Sequence, residues 1–424
     1  MDNHVLPADT QAILLLCASF GQNRQVEPQP LTLGEYNSFT EWLRENSLRP
    51  SDLLSPTIQE KLQPITDKKL HPDRLLALLE RGAMLSLAVE KWTNQGLWIL
   101  GRSDKQYPKR LKQQLKHLAP AILYGVGDIA LLSEGGLAIV GSREVNEEGF
   151  SYTEKVAQTS AKQGLQIISG GARGVDQAAM LGVLAAGGTA VGVLADSLTR
   201  AAVNGKYRSY IKEGKLTLVS SYDPEAGFNT GNAMGRNKYI YGLADYALVV
   251  ETSVGKGGTW SGAIEALSKL KNISVFVRMH PTVSEGNKQL HFQGAKPFPV
   301  EPWDGELRDI LKEAAKEAAN ESMSEVSSDV ATENSDVETV EIASENYSSQ
   351  VAVPGTKIYE AVLPFILNQL QKPKDIKTLA ESLGVRQAQL QDWLNRAVNE
   401  EKIIKIKSPA VYVVKQSVTQ LSLL

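Results

Sequence analysis

Ile167-Ile168-Ser169-Gly170-Gly171-Ala172-Arg173-Gly174-Val175-Asp176 is the stretch that decides the fold. An apolar run enters a turn rich in glycine, and the turn opens a helix. Glycine carries no Cβ, so such a turn lets the backbone approach a ligand and points several N–H groups at one spot. That geometry suits an anion, most often a phosphate. Two more turns of this kind follow apolar runs. Gly141-Ser142-Arg143 comes after Leu137-Ala138-Ile139-Val140, and Gly255-Lys256-Gly257-Gly258-Thr259 after Ala247-Leu248-Val249-Val250-Glu251. One glycine turn is weak evidence; three at strand ends imply a phosphate-lined cleft.

Outward from these turns, residues 136–298 alternate apolar runs with helical stretches. The expected strands are Leu137–Val140, Gln166–Ile168, Ala190–Leu194, Leu216–Ser220, Ala247–Glu251 and Ile273–Val277. The expected helices lie at 147–162, 174–186, 233–243 and 259–270. Such alternation predicts an α/β fold with a doubly wound parallel sheet covered on both faces. Ligands on such sheets bind outside the carboxyl ends of the strands, where all three turns fall.

The flanks differ in character. Residues 1–97 read as a small helical domain, with Tyr36, Phe39, Trp42 and Leu43 on one stripe and Leu75, Leu76, Leu78 and Leu79 on another. A connector follows, with Tyr107-Pro108, a basic helix and a short strand over Pro120–Tyr124. The α/β domain is expected over 98–312 and an acidic flexible linker over 313–353. Within it, residues 317–350 hold nine acidic residues and no Lys or Arg, too little apolar surface to offset the ordering entropy. Residues 354–424 predict three helices and a two-stranded ribbon, the winged-helix pattern. Its third helix mixes Arg386, Gln387, Gln389, Gln391, Asn395 and Arg396 with Asp392, Glu400 and Glu401. Duplex contact and protein contact both remain open for it.

The bulk numbers exclude some classes. The chain has 424 residues, so two or three domains are expected, and its net charge of −3 requires any basic footprint to be local. Cys17 is the only cysteine, which rules out an internal disulfide and fits a reducing cytoplasm. The apolar run from Ala12 to Ala18 lacks the basic leader of a signal peptide. No apolar stretch approaches the roughly 18–20 residues of a membrane helix. The five scattered histidines suggest no metal constellation, and no cofactor is expected.

The central motifs resemble the DprA/Smf DNA-processing family. They are Gly141-Ser142-Arg143, the Ser169–Asp176 loop, Gly187–Leu194, Arg236-Asn237-Lys238 with Gly242–Asp245, and Val249-Val250-Glu251. They occur in that family's order, with Tyr107-Pro108 upstream and Asn287, Leu290 and Gly294-Ala295 downstream. The resemblance implies an extended Rossmann-like domain that binds single-stranded DNA and brings it to a RecA-type recombinase. Such proteins usually act as homodimers, without metal, and are not known as enzymes. The implied contact residues are Gly141, Ser142, Arg143, Ser169, Gly170, Gly171, Arg173, Arg236, Asn237, Lys238, Lys256, Gly257, Gly258 and Thr259. Arg143 offers a charge-assisted fork, and Ser142 a hydroxyl, to a phosphate. Together these groups make a backbone track that positions a strand without reading its sequence.

Each residue also has a structural reading. Ser142 caps the next helix, Arg173 pairs with Asp176 or Glu251, Asn237 holds a loop, and Asp176 is a cap. The chain also departs from the family. Ala233-Met234 stands where Phe-Pro is typical, so an aromatic stacking platform is lost there unless Tyr239 or Tyr241 compensates. Ala178-Ala179-Met180 replaces an Ala-His pair, and Thr199–Tyr210 a Tyr-Pro turn.

Two rivals share the fold. Gly257-Gly258-Thr259 resembles the phosphate loop of phosphoribohydrolases that act on nucleoside monophosphates. Their catalytic Glu would fall on Gly262, however, and the first Glu here is Glu265. A nucleotide-binding sensor signalling through the winged helix is the other. A dinucleotide oxidoreductase and a P-loop phosphotransferase are both disfavoured, because neither G-x-G-x-x-G nor G-x-x-x-x-G-K-S/T is present.

Overall fold

Runs of branched and aliphatic residues that are buried on both sides form the middle of the sheet. In the computed structural model, which describes residues 6–20, 28–65, 69–270, 272–280, 282–324, 355–371, 373–383, 385, 387–400, 402–407 and 410–414, nine strands join in one sheet. They are β1 (Trp98–Gly101), β2 (Ile122–Val126), β3 (Leu137–Val140), β4 (Ile167–Ser169), β5 (Ala190–Leu194), β6 (Leu216–Ser220), β7 (Tyr246–Val249), β8 (Ser274–Val277) and β9 (Lys296–Pro297). Their order is β1-β2-β6-β5-β4-β3-β7-β8-β9. From β6 to β9 every neighbouring pair is parallel. The doubly wound α/β expectation therefore holds. Its antiparallel edge is new: β1 and β2 pair with each other and β2 with β6, so the connector supplies two strands rather than one.

Side chains alternate between two cores. Leu137 and Ile139 point into one, with Val156, Ala157 and Val175; Ala138 and Val140 point into the other, with Ile240, Val249 and Ala263. The N-terminal helices join the first core through Ile13, Phe39, Leu75 and Trp92. They are tied to the antiparallel edge by Thr10 Oγ1, which donates to Asp104 Oδ1 at 2.7 Å. The Leu33–Glu45 helix starts on a capping box: Thr32 accepts from Glu35 N at 3.3 Å and Glu35 accepts from Thr32 N at 2.8 Å. No helix among the described residues is long and apolar enough to cross a membrane.

The chain leaves β3 towards β4, β5 and β6 on one side and returns to its other side as β7. Winding therefore reverses between β3 and β7, and their carboxyl ends open onto a topological switch point. Helix starts are set by local caps. Asn146 accepts from Gly149 N at 2.8 Å to open Glu147–Lys162, so that helix is capped by Asn146 rather than Ser142. Asn229 accepts from Asn232 N at 3.2 Å and moves the start of the next helix from the expected 233 to Thr230, giving Thr230–Leu243.

The helix Leu307–Ser324 runs into the segment expected to be linker; residues 325–354 lie outside the described residues. The second unit, within 332–424, has helices Gly355–Gln369, Ile376–Leu383 and Gln387–Asn399 and an antiparallel hairpin of β10 (Ile403–Lys407) and β11 (Ala410–Val414). It has its own core of Tyr359, Ile366, Leu379, Leu390, Leu394 and Ile403, which is the expected winged-helix arrangement. Arg396 is held within the unit: its Nε donates to Glu400 Oε1 at 2.8 Å and its guanidinium lies 4.2 Å from the Tyr359 ring centroid. Arg386 lies outside the described residues.

Candidate nucleic-acid interface

The carboxyl ends of β3 and β7 and the start of the Thr230–Leu243 helix enclose a pocket of about 520 Å³. Of the expected contact residues, Gly141, Ser142, Arg143, Arg236, Asn237, Lys256, Gly257, Gly258 and Thr259 line it. A smaller pocket of about 180 Å³ adjoins it, with Gly170, Gly171 and Arg173 in its wall and Arg143 and Arg236 shared between the two. The three glycine turns thus do meet at one edge. Ser169 and Lys238 line neither pocket. Ser169 is fully buried and donates to Ile139 O at 2.6 Å, while Lys238 sits 5.3 Å from the ring centroid of Tyr239. On a helix, Arg236, Asn237 and Lys238 are each turned about 100° from the next, so three consecutive residues cannot face one ligand.

The turn at 169–176 works differently from its sequence reading. Gly174 adopts φ +82°, and a Cβ there would run into the carbonyl oxygen of Ser142; one on Gly141 would meet Val175. These glycines let two turns pack against each other rather than against a ligand. The backbone N–H groups of Gly141, Gly170 and Ala172 favour the charged form of the Asp176 carboxylate, so they serve that side chain rather than a ligand. Arg236 lies beside Asp176, 5% exposed, and donates through Nη1 to the carbonyls of Gly170 and Val193. Its role is therefore to brace the floor of the site, and the cation whose charge acts on Asp176 is Arg236 rather than Arg173.

The open turn is the third one. Gly257 has φ +81° and nothing within 4 Å of a Cβ position. It starts the Gly257–Lys269 helix, whose N-cap, Lys256, makes no side-chain capping bond. The positive end of that helix faces the pocket with Lys256 beside it. Two side chains fix the turn. Asn237 Nδ2 donates to Gly258 O at 2.7 Å, and Thr259 Oγ1 donates to Gly141 O at 2.9 Å. The Ser142 hydroxyl accepts from Glu144 N at 3.1 Å, shaping the β3 turn. Arg143, Arg173 and Lys256 remain exposed around the rim.

One residue was missed by the sequence reading. Phe228 is 59% exposed, lines both pockets, and carries the Arg143 guanidinium 5.2 Å from its ring centroid. Met234 beside it is 43% exposed. Tyr239 and Tyr241 are buried and offer no open ring face. A signal for Phe228 did exist: an aromatic residue directly before a helix-capping Asn, in the polar stretch Gly227-Phe228-Asn229-Thr230-Gly231-Asn232, has nothing apolar to pack on.

The floor of the pocket titrates. Burial raises the Asp176 carboxyl from 3.8 to about 6, against the opposing pull of Arg236 and the three N–H donors. Below that value the floor loses a negative charge. Anion affinity at this pocket is therefore expected to rise as pH falls from 7.5 to 5.0, and Asp176→Asn is expected to flatten the rise. Phosphate-dependent quenching or oligonucleotide anisotropy across that range measures both.

The family model for "DNA recombination-mediator protein A" matches residues 98–312. The chain is 28% identical over 226 residues to the DNA processing protein DprA of Bacillus subtilis, covering 52% of this chain and 73% of that protein. It is 33% identical over 141 residues to the DprA of Streptococcus pneumoniae, covering 33% of this chain and 49% of that protein. The crystal structure of DprA from Streptococcus pneumoniae superposes with a TM-score of 0.53 at 22% identity, covering 69% of this chain and 94% of that one; this likeness supports the fold.

Proposed function

The chain belongs to the DNA recombination-mediator protein A family, the DprA/Smf proteins, whose role is DNA processing linked to recombination, and from that premise we propose that it binds single-stranded DNA at the β3–β7 switch point and delivers it to a RecA-type recombinase. The observation that carries this reading is the convergence of an uncapped helix N-terminus, exposed cations and an exposed aromatic ring on one pocket. Phosphates bind at the Gly257–Lys269 helix start, at Lys256 and at Arg143; bases stack on Phe228. Arg173 extends the cationic rim. Arg236, Asn237 and Thr259 position these groups. The protein acts by binding, as a homodimer, and needs no cofactor.

The phosphoribohydrolase reading is weakened at one position. A Cβ at Gly262 would meet the side chain of Asn237 at 2.9 Å, so no Glu fits there. Glu265 instead pairs with Lys269 on its own helix at 3.0 Å and lines neither pocket. The sensor reading draws on the Tyr241 hydroxyl, buried without a partner in the wall of the larger pocket.

The deciding experiment is fluorescence anisotropy of a labelled 30-mer single strand in a salt titration, with duplex and nucleoside monophosphates as competitors. Salt-sensitive binding that duplex competes for poorly is the expected result. Displacement by a mononucleotide would favour the sensor. Arg143→Ala is expected to weaken binding to unrelated sequences alike. It should also reduce the slope of log K against log salt by about 0.7, the value for one phosphate on a single strand. Sequence-selective loss would contradict a phosphate contact.

A further inference from the structure

The larger pocket narrows into a buried end. Met234, Asn237 and Tyr241 stand on one face of the Thr230–Leu243 helix, and all three line it. Their exposure falls along that wall, from 43% at Met234 to 8% at Asn237 and 1% at Tyr241. Met234 and Tyr241 are seven residues apart, so the pocket descends about 10 Å along the helix axis. The exposed Phe228, Arg143 and Lys256 stand at its mouth.

Two features below the mouth call for an anion. The Gly257–Lys269 helix begins against the middle of the wall, where Asn237 Nδ2 donates to Gly258 O at 2.7 Å, and no side chain caps it. The first N–H groups of a helix have no partner within it and attract negative charge. Deeper still, the Tyr241 hydroxyl is buried with no hydrogen-bond partner. Burial raises its pKa, so it keeps its proton and is a neutral donor. A buried donor is costly to leave without an acceptor. The negative charge that also borders the floor, Asp176, has the buried Arg236 beside it.

Depth selects among phosphates. A phosphodiester within a strand carries a sugar on both sides, so it lies across the mouth, where Arg143 and Lys256 meet it. A phosphomonoester carries one sugar and three free oxygens, so it can enter end-on and reach both the helix start and the Tyr241 hydroxyl.

We propose that the buried end of this pocket takes a terminal phosphomonoester, the phosphorylated end of a single strand. The inference rests on the strand-binding reading and deepens it. A free mononucleotide offers the same chemistry, and the experiment separates the two sources.

The full chain is titrated against one 30-mer sequence carrying an internal fluorophore, in four forms: 5′-phosphorylated, 3′-phosphorylated, hydroxyl at both ends, and ligated into a circle. A phosphorylated form is expected to bind about ten-fold more tightly than the hydroxyl-ended strand, the gain from a hydrogen bond to a charged group. The circle should match the hydroxyl-ended strand. Tyr241→Phe removes only the hydroxyl. It should abolish the preference while leaving affinity for the circle and thermal unfolding unchanged, since no hydrogen bond within the protein is lost. An excess of nucleoside monophosphate should also abolish the preference without displacing the circle. Equal binding of all four forms, or a preference that survives Tyr241→Phe, would overturn the end site and leave strand binding intact. A Tyr241→Phe variant that unfolds early and loses the circle as well would give the hydroxyl a structural role and overturn the site. Displacement of the circle by the nucleoside monophosphate would overturn it in favour of a mononucleotide ligand. A phosphorylated strand that binds while the circle does not would support the end site and overturn the phosphate contacts at the rim. No binding of any form overturns both readings.

Discussion

Replacing Arg236 with Ala is expected to destabilise the α/β unit by about 3–5 kcal/mol, read by urea unfolding at pH 7.5. The reason is the charge it leaves behind. Arg236 is 5% exposed beside the buried Asp176 carboxylate, and it also serves the carbonyls of Gly170 and Val193. Removing the guanidinium strands a carboxylate and two backbone acceptors away from water. The pH dependence follows. Burial already raises Asp176 from 3.8 to about 6, so the folded state binds the extra proton and wild-type stability falls as pH rises through that window. Without Arg236 the carboxyl rises further and the window extends upward. The deficit of Arg236→Ala should therefore be smaller at pH 5 than at pH 8. Adding Asp176→Asn should recover part of it, because the amide carries no charge to strand. A deficit independent of pH and of residue 176 would mean that Arg236 acts by packing alone.

This pair also marks where the sequence stops being legible. The strands could be read because parallel, doubly covered strands are continuous apolar runs such as Leu137–Val140, and the alternation of strand and helix leaves one architecture. The edge of the cleft was legible for the same reason, since carboxyl strand ends at a winding reversal are set by topology. What each glycine turn does was not. A turn whose N–H groups serve a phosphate and one whose N–H groups serve the carboxylate of Asp176 have the same local sequence. The difference lies in Arg236, 60 positions from Asp176, reaching the same point. Lys238 shows a smaller failure, because its neighbours in sequence are not its neighbours on a helix. The winged-helix unit was legible because three amphipathic segments and a hairpin need only local patterning.

Phe228→Ala is expected to weaken single-strand binding by about 1–3 kcal/mol, or roughly 5- to 150-fold, without changing its salt dependence. The family's aromatic platform has no counterpart at Ala233-Met234, and Tyr239 and Tyr241 are buried. Yet the pocket keeps an exposed ring, supplied from the loop before the helix. The Arg143 guanidinium at 5.2 Å from that ring ties the stacking surface to a phosphate-binding cation. A phosphate riding on Arg143 would then set the adjacent base over Phe228. Two signatures separate the roles. Arg143→Ala lowers the salt slope; Phe228→Ala does not, because no counterion is released at a ring. An abasic strand, which keeps every phosphate, should bind wild type about as weakly as an ordinary strand binds Phe228→Ala, and Phe228→Trp should retain affinity for the ordinary strand. The double variant Arg143→Ala/Phe228→Ala should lose less than the sum of the single losses, since each removes part of the other's support. Equal binding of abasic and ordinary strands by wild type would show that the ring is not a stacking platform and that the site grips the backbone alone.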